Sequence, residues 1–241
     1  MGRVRDAGRG MRGGLLMMDV QGALESFDGV ARLFPLPNLV MFPGADQGLH
    51  IFEHRYRQMT ADALASDRFI ALVLLRPDWE SEYDGEPPIE TTACLCAITH
   101  AERLVDGRYN LRVHGLARFA IDEEFCDDDK PYRTAAGSVV AEVTPNNLGL
   151  LAALRLSLRN AVLERFASAG NAFELLSALF SSDLALGELC DRLASVLPLS
   201  PLVKQSLLAE ADAAIRVELL IAALNVDDSV ARTFPPPFSA N

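Results

Sequence analysis

The hydrophobic pattern of this chain changes at Pro145, and that change constrains the fold more than any other feature. From Ala31 to Val143, apolar residues alternate or form short runs, which is typical of β-strands. After Pro145 they recur every three or four positions, which is typical of amphipathic helices. Of the 241 residues, 50% are hydrophobic and 23% are charged, as in a globular protein with a buried core. The pattern therefore predicts an α+β fold in which a β-rich segment precedes a helical bundle.

The β-rich segment is typical of a small, partly closed barrel with one interrupting helix. Phe69–Leu75 is a short apolar run that predicts a strand buried on both faces. Asp106-Gly107 predicts a two-residue turn between strands over Ala93–Leu104 and Arg108–Ile121. We also expect an edge strand or irregular segment over Leu33–Phe42, a bulge at Gly115 and a strand over Tyr132–Glu142. An acidic tip is expected from Asp122–Glu124 and Asp127–Asp129. The interrupting helix is expected to begin near Glu53 and to carry on one face Tyr56, Met59, Thr60, Ala63 and Leu64.

The segment after Pro145 predicts five helices that pack as a bundle. A long candidate covers Leu148–Ala167, and a shorter one covers Asn171–Phe180. Asp183 is a candidate cap for a third helix, and Ser200-Pro201 and Asp212 are start signals for the last two. The residues expected on inner faces are Leu186, Leu189, Leu193 and Leu197 in the third helix, and Ile215, Leu219 and Ala222 in the last.

The ends of the chain differ from the middle in composition, which predicts four segments. Residues 1–28 are rich in Gly, Arg and Met and predict a disordered tail, and residues 227–241 contain the proline run of a second tail. Between them we expect a β domain over 29–144 and a helical bundle over 145–226. The longest apolar run, Phe69–Leu75, is shorter than the about 20 residues that span a bilayer. Four scattered cysteines favour a reducing compartment, so we expect a cytoplasmic protein.

The charge of the chain excludes some functions and disfavours others. The net charge is −11, although residues 1–18 are locally basic. An acidic protein repels the phosphate backbone, which disfavours nucleic acid as a partner. The two lysines, Lys130 and Lys204, are each followed by Pro or Gln, so the chain cannot form the Gly-Lys-Ser/Thr loop of P-loop ATPases.

His50-Ile-Phe-Glu-His54 is the string that most resembles a catalytic motif. It matches H-x-x-E-H, in which two histidines on one helix bind zinc and the glutamate acts as a base. Here the helical pattern begins only after Glu53, which argues against that geometry. Cys94 and Cys96 share one face of a strand and are interpreted as buried apolar side chains. No G-x-S-x-G string indicates an activated serine.

Two blocks, Leu33–Gly44 and Leu49–Met59, resemble the amino-terminal substrate-binding domain of Lon proteases. Later parts of the same region are similar to Gly107–Asn110, Gly115–Phe119, Leu193–Ser200 and Lys204–Leu208, so that the resemblance covers roughly residues 31–226. It implies a PUA-like β pseudo-barrel followed by a helical bundle. Full Lon enzymes add an ATPase and a Ser-Lys peptidase, and we expect neither in this chain. No catalytic residue, cofactor or metal site is therefore carried over.

The resemblance implies a non-catalytic module that binds unfolded or damaged protein, with a protease or an adaptor as a further partner. The expected wall of the binding site is the Leu33–Phe42 segment beside the predicted helix. The candidate binding residues are Phe34, Leu36, Phe42, His50, Tyr56 and Arg118. Two alternatives stay open at this point: an RNA-binding module, as a PUA-like fold suggests, and a zinc hydrolase that uses His50, Glu53 and His54.

Overall fold

The structure is a computed structural model that describes residues 20–77, 79, 85–125 and 129–226. Its strands are β1 Val30–Leu36, β2 Asp46–Ile51, β3 Phe69–Leu74, β4 Thr92–Arg103, β5 Tyr109–Phe125 and β6 Thr134–Val140. Its helices are α1 Val20–Glu25, α2 His54–Leu64, α3 Leu148–Arg165, α4 Asn171–Phe180, α5 Leu186–Val196, α6 Pro201–Ala209 and α7 Ala213–Val226. The predicted α+β class is confirmed.

The six strands form one sheet that closes almost into a barrel. The strand order is β2-β5-β4-β3-β1-β6, and β5 also pairs with β6. This last pairing joins five strands in a ring and leaves β2 outside it, paired with β5. The predicted barrel with one interrupting helix is therefore confirmed.

β1 explains why the sequence around Pro35 indicated an edge. Residues Val30–Arg32 pair with β6, whereas Leu33–Leu36 pair with β3. The amide of Leu33 donates to the carbonyl of Arg133 on the β6 side, at 2.9 Å. The nitrogen of Pro35, two residues later, faces the same side of β1, but Pro35 lies beyond the last residue of β1 that pairs with β6. Proline is tolerated there because no ladder hydrogen bond needs its missing N–H.

The predicted hairpin joins β4 to β5, but its loop has three residues, Val105–Gly107, rather than the two expected. The amide of Leu104 donates to the carbonyl of Arg108, and the amide of Gly107 donates to the carbonyl of Leu104. Gly107 has a φ of 84°, and Asp106 Oδ1 accepts a hydrogen bond from the amide of Arg108 at 3.1 Å. The bulge expected at Gly115 is present, since the register shifts between Leu95 and Cys96, which face Ala117 and Gly115. The acidic tip is only partly as predicted: Asp122–Glu124 continue β5, which ends at Phe125, and residues 126–128 lie outside the described residues.

Two of the three predicted helix starts are confirmed. Ser200 caps α6 by accepting from the amide of Val203, and Asp212 Oδ1 accepts from the amide of Ala214 at the start of α7. The cap expected at Asp183 is wrong, because α5 begins after Ala185 and has no side-chain cap.

The inner face predicted for α7 is also wrong. Ile215 and Leu219 are 46% and 40% exposed, and Ala222 is exposed as well. The buried face carries Ala213, Arg216, Val217, Leu220 and Leu224. α7 is apolar around most of its circumference, so its periodicity did not identify the side that packs.

The β part and the helices share one hydrophobic core. A single cluster of buried residues includes Phe42 and Tyr56 from the β part and Leu158, Leu193 and Leu220 from the helices. A second cluster lies on the opposite face of β3, where Val20, Leu24 and Phe27 pack against it. Residues 20–28 were predicted as part of the disordered tail, but they include α1 because these side chains cover that second cluster. Residues 1–19 and 227–241 lie outside the described residues.

In the described ranges, no helix is both long and apolar enough to cross a membrane.

Candidate functional site

The apolar residues expected to form a binding wall lie together, but inside the core. Phe34, Phe42 and Tyr56 are 6%, 0% and 7% exposed. The rings of Phe34 and Tyr56 are tilted against each other with centroids 4.6 Å apart. Leu36 is partly buried against the same cluster. These side chains hold β1 against α2 and offer little surface to a partner.

The H-x-x-E-H string is divided between two elements. His50 lies in β2, Glu53 is the N-cap of α2 and exposed His54 is its first residue. The two histidines therefore do not lie one turn apart on a helix, as the zinc motif requires. Within the described part of the chain, no group of three or more His, Cys, Asp or Glu side chains is placed to hold a metal ion.

His50 instead belongs to a polar face formed by β2 and β5. Its Nδ1 lies 2.8 Å from Asn110 Oδ1, and its Nε2 lies 3.2 Å from the guanidinium of Arg108. Arg108 also bonds to Asp106, and these hydrogen bonds lower the pKa of the Asp106 carboxyl. On the same face His114 Nδ1 lies 3.0 Å from Asp46 Oδ1.

Arg118 is placed in a buried ionic network between the β part and the helices. Its two terminal nitrogens donate to the carboxylate of Asp191 at 2.9 and 2.6 Å, and its Nε donates to the carbonyl of Leu208 at 2.8 Å. Arg216 Nε lies 3.1 Å from the same carboxylate, and another nitrogen of Arg216 bonds to Glu142. Burial lowers the pKa of the Arg118 guanidinium, but the hydrogen bonds and charge of Asp191 outweigh it, so the pKa is raised.

This network could not be predicted directly from the sequence, because its members are far apart along the chain. Arg118 and Asp191 are separated by 73 positions, and Glu142 and Arg216 by 74. A local signal did exist: Asp191 and Arg216 each interrupt the apolar face of a helix. An isolated charge on a buried helix face indicates a partner charge in the packed structure.

A cleft of about 470 Å³ opens beside the network, between the sheet and α5. Its apolar lining includes Pro43, Leu116 and Val139, and its charged lining includes Glu188 and Arg192. Val20 and Leu24 of α1 also line it. The cleft can take an apolar side chain with polar groups at its rim.

The described cysteines are core residues, as was predicted for Cys94 and Cys96. Cys94, Cys96 and Cys190 are each 0% exposed and are free thiols. Burial raises the pKa of Cys190 to about 12, so its thiol is uncharged at neutral pH. Burial also raises the pKa of Cys94, so neither Cys94 nor Cys190 has the character of a nucleophilic thiolate.

The sequence model of one protein family matches residues 30–226, which is most of the chain. That family is described as the ATP-dependent protease La (LON) substrate-binding domain. This chain belongs to that family. The resemblance found in the sequence blocks is thereby confirmed.

Curated relatives within the Lon family are longer proteins. The chain is 26% identical over 201 residues to Lon protease 2 of Myxococcus xanthus, a match that covers 83% of this chain and 24% of the relative. It is 24% identical over 201 residues to the Lon protease of Anaeromyxobacter dehalogenans, with the same two coverages. The matched region thus corresponds to about a quarter of the length of these Lon relatives.

Solved structures of Lon domains share the fold. The Lon N-terminal domain protein from Xanthomonas campestris is 27% identical with a TM-score of 0.54, covering 80% of this chain and 97% of that one. The N-terminal domain of a Mycobacterium avium complex Lon protease is 16% identical with a TM-score of 0.65, covering 82% and 98%. The first is described as a Lon N-terminal domain protein.

Proposed function

We propose that this chain is a non-catalytic module that binds unfolded or damaged protein. The observation that carries the proposal is the match of residues 30–226 to a domain family described as substrate-binding. A protein that recognises non-native chains needs accessible apolar surface or an unpaired strand edge, and the β2 edge and the cleft beside α5 provide both.

The contacts of the lysines support a role without catalysis. Lys204 Nζ donates to the backbone carbonyl of Ser195 at 3.1 Å, while the hydroxyl of Ser195 donates to the carbonyl of Arg192 at 2.8 Å. The amine therefore does not contact the hydroxyl that it would have to activate in a Ser-Lys pair. Lys130 precedes Pro131 and lies in no phosphate-binding loop.

We further infer that the protein works in the cytoplasm and delivers its clients to a protease or an adaptor. Three described cysteines are free thiols, which fits a reducing compartment. The net charge of −11 argues against RNA as the partner, because a phosphate backbone would be repelled.

Light scattering tests the proposal directly. Citrate synthase diluted out of guanidinium aggregates, and an equimolar amount of this protein should slow the aggregation without ATP. Adding ATP should change nothing, and hen lysozyme at the same concentration serves as a control for non-specific protein. Equal aggregation with this protein and with lysozyme, for citrate synthase and for a second client, would contradict the function.

A further inference from the structure

The outer edge of β2 is an open strand edge. In an antiparallel pair of strands, every second residue of a strand points its N–H and C=O groups toward the same neighbouring strand. The amide of Gly115 donates to the carbonyl of Ala45 at 2.9 Å, so Ala45, and after it Gln47, Leu49 and Ile51, turn their backbone groups toward β5. The backbone groups of Asp46, Gly48 and His50 consequently point away from the sheet, where the described residues contain no further strand.

This edge lacks the devices that usually protect an open strand. Edge strands are commonly guarded by proline, lysine or a bulge. The second half of β1 is also unpaired on one side, and there Pro35 removes the N–H that would be offered. β2 contains neither proline nor lysine, and its pairing with β5 is regular from Asp46 to Ile51. Of these two open edges, the one at β2 can still accept a strand.

The side chains along β2 indicate what the edge can hold. A Cβ placed on Gly48 would have no neighbour within 4 Å, so there is a gap between Asp46 and His50. Phe52 is 62% exposed and its ring stacks on His50, with centroids 6.3 Å apart and an angle of 25°. The Gln47 amide donates to the Gly48 carbonyl at 2.8 Å and so occupies an acceptor that an added strand would use.

We propose that the β2 edge binds an extended segment of an unfolded protein as an added strand, with an apolar side chain of that segment over Gly48 and beside the rings of His50 and Phe52. The inference rests on the proposed function and assigns its binding surface. The N–H groups of Gly48 and His50 and the C=O of His50 pair with the backbone of the client, which gives affinity without a fixed sequence. The C=O of Gly48 joins this ladder once an N–H of the client displaces the Gln47 amide. A second copy of this chain is disfavoured as the occupant, because each copy carries a net charge of −11.

Two substitutions at one position separate backbone pairing from side-chain effects. Gly48→Pro removes the outward N–H and leaves the hydrogen bonds to β5 in place. Gly48→Ala keeps the N–H and fits the empty space, so it is the matched control. The probe is fluorescein-labelled α-lactalbumin that has been reduced and carboxymethylated, with binding measured by anisotropy and folding by circular dichroism. We expect Gly48→Pro to weaken binding at least tenfold and Gly48→Ala, which keeps the N–H but narrows the gap, to weaken it clearly less. Gly149→Ala, at an exposed glycine of α3 outside the proposed surface, should leave binding unchanged.

If Gly48→Pro fails to fold, Gly48→Lys replaces it, because a guarding lysine keeps the backbone and obstructs the edge. It should weaken binding by a similar factor. Equal affinity of wild type, Gly48→Ala and the blocked variant would overturn the proposed surface and leave the proposed function in place. If wild type itself does not bind the probe and does not slow aggregation, the function fails as well. A wild-type dimer in sedimentation that Gly48→Pro converts to a monomer would show that a second copy occupies the edge, which also overturns the proposal.

Discussion

Replacing Asp191 with alanine should destabilise the protein by about 3–5 kcal/mol, the usual cost of removing one partner of a buried ion pair. Asp191 is 2% exposed and receives two hydrogen bonds from Arg118, which is 4% exposed. It also lies 3.1 Å from the guanidinium of Arg216, which is fully buried. The substitution leaves two cations in the core with Glu142 as the remaining carboxylate. For a chain of this size, the loss corresponds to a fall in melting temperature of about 10 °C.

Urea unfolding of wild type and Asp191→Ala measures this difference in the free energy of unfolding. Glu188→Ala is a matched control on the same helix, because its ion pair with Arg192 is 4.0 Å long and solvent-exposed. Exposed pairs of this kind contribute less than about 1 kcal/mol. Arg118→Met and the variant that carries both substitutions complete a double-mutant cycle, which isolates the interaction energy between Arg118 and Asp191. Because the two charges are in contact, this interaction energy should differ clearly from zero.

A loss below about 1 kcal/mol for Asp191→Ala, equal to that of Glu188→Ala, would refute the reasoning. It would mean that water reaches the two guanidiniums when the carboxylate is removed, so that their burial is not maintained. A full loss together with zero coupling to Arg118 would also refute the assigned pairing, because the cost would then arise from contacts of Asp191 other than that with Arg118.

Three further predictions concern burial and space in the core. Burial lowers the pKa of Lys204 to about 8, so the folded protein holds fewer protons than the unfolded chain between about pH 8 and 10.5. Its free energy of unfolding in urea, relative to that of Lys204→Met, should therefore rise through this range by roughly 1–3 kcal/mol. A constant difference from pH 7 to 10.5 would contradict this. Gly115→Ala places a Cβ 2.2 Å from the carbonyl oxygen of Phe42 and should lower the free energy of unfolding by about 1–3 kcal/mol. Gly48→Ala, where the Cβ meets no neighbour, should change it by less than about 0.5 kcal/mol. Equal melting temperatures of the two variants would count against the close approach at Gly115. Burial raises the pKa of Cys190 to about 12, so its thiol should resist iodoacetamide at pH 8 until the protein unfolds. Labelling of Cys190 in the native protein, detected by peptide mapping, would show that the core opens.

Much of the secondary structure could be predicted because the signals for it are local. The Asp106-Gly107 turn, the Ser200 cap and the buried run of β3 each depend on a few neighbouring residues. The same is true of α2, whose buried side chains Tyr56, Met59, Thr60 and Ala63 follow the predicted spacing. In these places local preference and the final packing agree, so periodicity was sufficient.

The candidate site was predicted less well, because accessibility is not a local property. Phe34 and Phe42 were expected to form a binding wall but are core residues. The ring of Phe34 packs on Tyr56 of α2, and Phe42 is fully buried in the same cluster. The inner face of α7 was misplaced because an apolar helix can pack on several sides. Arg118 was expected to bind a partner protein, but it is buried against Asp191, a contact that could not be identified across 73 positions of sequence.

The amino-acid sequence by itself determined the order and type of most elements and the family to which the chain belongs, because turns, caps and periodicity act over a few residues. Only the tertiary structure decided which charges meet in the core and which strand keeps a free edge. The strands β1 and β2 show the reason, since each has an unpaired side. Only the packed sheet reveals that the β1 edge lacks a donor at Pro35, whereas the β2 edge offers its backbone groups to solvent.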